Sequence, residues 1–523
     1  MRPIDLLHPV RTVRRPKQPV VLLPCVRSVR RPIRLVIVLA MALATSAHVG
    51  TDDVFYAGSA GPYPVRVTIR QPGVIPGLAD ITVRTDAPGI RRVLVTALRR
   101  FGERGESPPP DEAVRVPGEA SLYSAQLWLM VRGPQSVIVT VAGDAGDGQV
   151  TIPIVARATA RLDMPRSLAF VLAAGGLFLV AGLLTIVGAA TRESVLAPGM
   201  APDRRDVRRG RYAAGGAGLL LALLLFGGWR WIRAEADAHE SRLYRPWDVK
   251  TSLSTVAETP VLFLELTDAR WTQRDGNDLL PDHGKMMHMF IVDAGDASAF
   301  AHLHPTRRDE NTFQVALPPL PPGEYRVFAD IVQEDGATQT LVTEIAVPAS
   351  GTALADRVMT GDAPSGANAL IVDPDDAWWT GIGSTTQSAQ LSDDIALRWL
   401  NRDALRAGDD GELVFVVERA DGTPVSVEPY MGMSGHAMLA RRDGQVFVHL
   451  HPMGMISVAA QQALASGEPF PAVPHTPDHE TSVIRFPMVV PPAGDYRIWV
   501  QVRYRGLVLT AAFDTSIRDS LNP

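Results

Sequence analysis

The chain has 523 residues, with 51 Lys and Arg against 56 Asp and Glu, a formal net charge of −5, and a single cysteine, Cys25. That length holds roughly three to four domains on the usual size prior, and the mildly acidic balance argues against a nucleic-acid partner. One thiol excludes a disulfide within the chain, so any metal ligands must be His, Met or carboxylate.

Residues 35–44, LVIVLAMALA, follow Arg30, Arg31 and Arg34 and precede Thr45, Ser46 and Ala47. This fits a secretory signal over residues 1–47 or, given the long basic stretch ahead of it, an N-terminal anchor. Its removal takes away nine basic residues and one acidic residue, leaving 42 against 55, a net charge of −13 and no thiol. Cleavage after Ala47 would make His48 the first residue, where amine and imidazole can chelate copper together.

Residues 48–165 contain the alternating stretches PVRVTIR, ADITVRT, RRVLVTAL, AQLWLMV and SVIVTVAG, separated by Gly- and Pro-containing turns. That pattern predicts an immunoglobulin-like β-sandwich. Residues 168–190 and 213–229 carry no charge and have the length of membrane-spanning helices. They predict a transmembrane hairpin over 166–233. Its short loop holds Arg192, Arg204, Arg205, Arg208, Arg209 and Arg211, which favours the cytoplasmic side and puts the flanking soluble regions outside.

A polar stalk then leads to a module at 251–349, a linker at 350–368 and a second module at 369–517. The modules read as internal repeats. VLFLEL at 261–266 answers LVFVVE at 413–418, and PPGEYRVFADI at 321–331 answers PAGDYRIWVQV at 492–502. The Gly-x-Tyr before each final strand matches a tyrosine corner, in which the phenol ties a loop to the strand it enters. The whole therefore reads as mainly β: three Ig-like sandwiches and a two-helix hairpin.

Between those landmarks each module has one histidine on a short apolar strand and an H-L-H-P on the next. In the second module the Asp443-Gly444 pair suits the centre of a two-residue hairpin. Pairing outward sets Met438 opposite His449 and His436 opposite His451, all on one face because side chains alternate with period two. Directly opposed Cβ atoms lie about 5 Å apart, so three imidazoles and a thioether can close around one ion. In the first module the same pairing sets His288 opposite His304 and Phe290 opposite His302. Three imidazoles suit Cu(II) or Zn(II), and an added thioether favours Cu(I). The competing reading is that the histidines brace strands or form a polar face. His283, His475 and His479 read as loop histidines with an optional role.

The stretches DHGKMMHMFIVDAGDASAFAHLHP and GMSGHAMLARRDGQVFVHLHP, with their Gly-x-Tyr strands, resemble the YtkA-like and related CopC-like domains of the bacterial envelope. The resemblance implies copper binding by His288, His302 and His304 and by His436, His449 and His451, with Met438 an added candidate from the spacing. No Ser-His-Asp, H-E-x-x-H or phosphate-cradling loop stands in a supporting context. The expectation is an inner-membrane protein with its domains in the periplasm, not an enzyme, that buffers, delivers or senses copper alongside copper transporters or other envelope proteins. The alternative is an envelope scaffold or adhesion protein with structural histidines.

Overall fold

The computed structural model describes residues 53–99, 109–161, 164–197, 199–241, 243–256, 259–272, 279–349, 372–464 and 481–520. The leader, His48, the 350–368 linker, His475 and His479 lie outside them.

In the N-terminal region the alternating stretches form strands at Tyr63–Arg70, Gly77–Arg84, Ile90–Arg99, Leu122–Leu129 and Gly133–Gly143, joined by Val54–Ala60, Asp111–Arg115 and Gly146–Ala156. All eight are linked in one path, with Asp111–Arg115 pairing strands on either side. The folded sheet closes over one apolar core that includes Val67, Ile81, Val95, Leu127, Val139 and Ile152. Alternation puts these residues inward while their neighbours meet water.

Two helices follow, α1 (Arg166–Glu193) and α2 (Arg204–Glu240), both long and apolar enough to cross a membrane. Most of their leucines and phenylalanines point outward without protein cover, as lipid-facing side chains do. The helices approach at Gly188 and Gly210, where a Cβ on Gly210 would meet the Gly188 carbonyl oxygen at 2.6 Å. Asp203 caps α2 by accepting from the backbone N–H groups of Arg205 and Asp206. This second helix runs to Glu240, seven residues beyond the hairpin boundary at 233 and through half of the expected stalk.

Each C-terminal module is a two-sheet sandwich with its own core. The tyrosine corners are present: the Tyr325 hydroxyl donates to the Pro321 carbonyl at 2.6 Å, and Tyr496 does the same to Pro492 at 2.6 Å. One boundary differs from the expectation. The strand Ala377–Thr380, assigned by sequence to the second module, adds to the edge of the first module's sheet beside Ala299–Leu303.

The modules join through the faces that carry the histidines. Phe290, Phe300 and Phe328 of the first meet Met438, Phe447 and Trp499 of the second in one buried cluster. Phe328 stacks on Phe447 at 4.3 Å and Phe300 on Trp499 at 4.6 Å. Arg497 reaches across to donate to the Ala297 carbonyl at 2.7 Å. The N-terminal sandwich also touches the second module. Ala57 N–H donates to Met453 O, and a Cβ on Gly454 would meet the Phe55 carbonyl oxygen at 2.4 Å.

Candidate metal centre

The histidine strands form as the spacing predicts. His288–Asp293 pairs with Ala299–Leu303 so that Phe290 faces His302, and His436–Arg441 pairs with Phe447–Leu450 so that Met438 faces His449. Gly444 takes a φ of 74° in the tight turn between the latter pair, a conformation open to glycine. Both pairs are extended by the Gly-x-Tyr strands, which set His288 beside Asp330 and His436 beside Gln501.

Because the modules meet on these faces, the two sets do not stand apart. Seven imidazoles gather at the boundary, namely those of His283, His288, His302, His304, His436, His449 and His451. Two triads have ligand nitrogens within 4.8 Å of one another: His288 with His302 and His304, and His283 with His436 and His451. The first triad belongs to one module. The second draws His283 from the other module.

Hydrogen bonds orient the rings of the first triad. His288 Nε2–H donates to the Asp282 carbonyl at 3.2 Å, which leaves its Nδ1 with a lone pair. His302 Nδ1–H donates to Gln501 Oε1 at 2.8 Å, while Gln501 Nε2 donates to Thr510, so His302 Nε2 also keeps its lone pair. The two remaining nitrogens, His288 Nδ1 and His302 Nε2, face each other at 3.2 Å, within hydrogen-bonding distance, and the Tyr430 hydroxyl stands 3.4 Å from His302 Nδ1. His304 Nδ1–H donates to Asp376 Oδ1 at 2.9 Å, and its buried Nε2 has no hydrogen-bond partner. Carboxylate and carbonyl groups behind an imidazole in this way fix its orientation and raise its basicity toward a metal.

In the second triad both ring nitrogens of His436 and of His451 are buried without a hydrogen-bond partner. Buried polar atoms are nearly always satisfied, and leaving one unmade costs about 1–3 kcal/mol. His283 reaches them from a tight turn in which it and Gly284 have φ of 51° and 81°. The second module repeats that turn with Met431 and Gly432, at 49° and 79°.

His449 is turned aside. Its Nδ1 lies 3.2 Å from Asp330 Oδ2 of the first module, and its Nε2 is buried without a partner. The support is reciprocal, since Gln501 of the second module holds His302 of the first. Met438, on the expected face, is fully buried in the apolar cluster among Phe and Trp side chains.

Burial lowers the pKa of His288 and pushes those of His302, His304, His436, His449 and His451 well down, reinforced in each case by neighbouring imidazoles, with Asp282 partly opposing the shift at His288, His449 and His451 and Asp330 that at His288. At neutral pH these rings are uncharged and able to coordinate. Burial raises the Asp330 carboxyl to about 6 and that of Asp376 to about 7. Asp376 belongs to the stretch 373–376, which Lys285 anchors from the first module through Asp373 at 2.6 Å and Arg503 from the second through Asp375 at 2.9 Å. A cavity of about 150 Å³ reaches the cluster, lined by Met286, Asp330, Met455, His288, His449 and His451.

Sequence reasoning picked out the six histidines on and just past these strands but not their meeting across modules, and it gave His283 only an optional role. The signal for His283 was the shared offset: D-H-G and Y-M-G each stand five residues ahead of the first strand histidine.

A family described as a domain of unknown function (DUF8832) matches residues 254–349 and 389–519, the two C-terminal modules. No curated protein matches the chain. Among solved structures, a membrane-anchored protein from Corynebacterium diphtheriae is 9% identical over 90% of this chain and 96% of its own, with a TM-score of 0.13. The BSP domain of a biofilm-associated protein is 6% identical over 92% and 98%, with a TM-score of 0.12. At such scores neither carries an argument about fold or function.

Proposed function

We propose that the paired C-terminal modules form a copper-binding centre, carried outside the cytoplasm by the membrane hairpin, for buffering, delivering or sensing copper. The facing nitrogens of His288 and His302 carry this reading. Two imidazole nitrogens 3.2 Å apart, on rings held toward each other by Asp282 and Gln501, are spaced as two ligands of one tetrahedral ion are. Burial holds both rings below the ordinary histidine range, which keeps them uncharged and ready to coordinate. A metal ion suits the place. Uncharged imidazoles with the thioethers of Met286 and Met455 at the cavity match copper better than a hard, oxygen-seeking cation. The H-L-H-P resemblance to YtkA-like and CopC-like domains points the same way. The arginine-rich loop favours the cytoplasmic side, which supports a centre on the periplasmic side of a bacterial inner membrane, where copper transporters or other envelope proteins would be its partners.

The test uses the full chain in detergent, with copper content measured after desalting and thermal melts run with and without copper. A ligand that binds only the folded state stabilises it, by about 2.7 kcal/mol at one hundred times its Kd. Copper should be retained and the melting temperature should rise, and His302→Ala should reduce the copper content. If copper is not retained and the melt does not move, the histidines brace strands and the chain is a scaffold or adhesion protein.

A further inference from the structure

We infer that the two triads hold two copper ions side by side, as one two-ion centre spanning the module boundary, with His449 between them. This rests on the metal reading above and adds number and arrangement to it.

The triads share no residue, so both can be filled at once. They are also neighbours. His302 stands 5.9 Å from His436 and His283 stands 6.3 Å from His288, ring centre to ring centre, hardly more than the 4.7–6.0 Å found inside the triads. Two ions so placed would act on each other, which two remote sites would not.

His449 is the second observation. Its ring lies 4.4 Å from His451, 5.5 Å from His436, 5.7 Å from His288 and 5.9 Å from His302, so it borders both triads. The Asp330 carboxylate takes up its Nδ1–H, leaving the partnerless Nε2 as a free donor. A single three-coordinate ion has no use for this seventh imidazole. Two adjacent ions do, since each triad leaves a coordination position open.

The third is access and charge. One cavity touches His288 of the first triad, His451 of the second and His449 between them, so both positions are reached from the same opening. Asp282 is buried beside the imidazoles, and the half-buried Asp330 and Asp376 hydrogen-bond to His449 and His304, so that on ionising all three offset the charge of two adjacent cations.

The test loads the full-length chain in detergent with Cu(II) and compares metal content with integrated electron paramagnetic resonance intensity. Two coppers per chain are expected, with intensity well below that of the copper present because the two spins interact. His451→Ala should leave one copper with its full intensity. A wild-type sample loaded with a zinc and copper mixture should recover intensity per copper, a control that depends on no variant folding. One copper per chain, or two with full and independent intensity, overturns the pairing while leaving the copper reading intact. No bound copper overturns both.

Discussion

The two triads descend from one repeated pattern yet are built differently. His288, His302 and His304 come from a single module, whereas His436 and His451 take their third partner, His283, from the other. The difference lies in the turn ahead of the first histidine strand, which has the same backbone shape in both modules but presents His283 in one and Met431 in the other. A duplicated fold thus gives one self-contained triad and one that is assembled only while the modules stay docked.

Acid should break both together. The folded state holds His288, His302, His304, His436, His449 and His451 below the ordinary value of 6.5, so on falling pH the unfolded chain takes up protons first. Their contribution is complete above about 6.5 and is lost progressively below it. Asp330 and Asp376, raised to about 6 and about 7, work in the opposite sense, because their protonation favours the folded state as pH falls. Six rings outweigh two carboxyls. Metal-free protein should therefore show lower urea midpoints at pH about 5.5 than at about 7.5, and added copper should shift the loss to lower pH. A metal-free midpoint that stays flat across this range would mean that the rings are not neutral in the folded state.

A cut at the apolar boundary should separate the triads. Trp499 is fully buried, stacked on Phe300 of the first module. Truncating such an aromatic costs about 3–5 kcal/mol. Trp499→Ala should lower the urea midpoint by that measure and weaken copper binding at the shared triad more than at the first. Equal weakening at both would show that the self-contained triad also depends on docking.

Five of the N-terminal strands, the tyrosine corners and the pairing of the histidine strands were legible, because period-two alternation and Gly-x-Tyr are local signals. The docking was not, since alternation tells which residues share a face but not what covers it. A hint was present. The face that carries the histidines also carries Phe290, Phe300, Phe328, Met438, Phe447 and Trp499, more apolar surface than an exposed sheet face tolerates. Likewise Ala377–Thr380 reads as a strand from its own residues, and its addition to the other module's sheet is a long-range choice no local pattern encodes. Met438 shows the same limit. Its register with His449 follows from the hairpin, but its apolar surroundings come from the neighbouring module.

The exchange of supporting residues gives the sharpest comparison of all. Gln501 belongs to the second module but accepts from His302 of the first, and Asp330 belongs to the first but supports His449 of the second. If these contacts orient ligands, Gln501→Leu should act on the triad to which it contributes no ligand. Losing such a partner behind a ligating histidine costs about 10–100-fold in metal affinity, or about 1.4–2.7 kcal/mol. The leucine takes away the 2.8 Å acceptor of His302 Nδ1–H and leaves only the Tyr430 hydroxyl at 3.4 Å, so the ring is held less firmly toward His288. Copper affinity of the first triad should fall by that factor, with the shared triad less affected, as calorimetry on the full chain would read. Were the loss confined to folding stability, strand pairing alone would hold His302 in place and the two modules would be joined by apolar contact only.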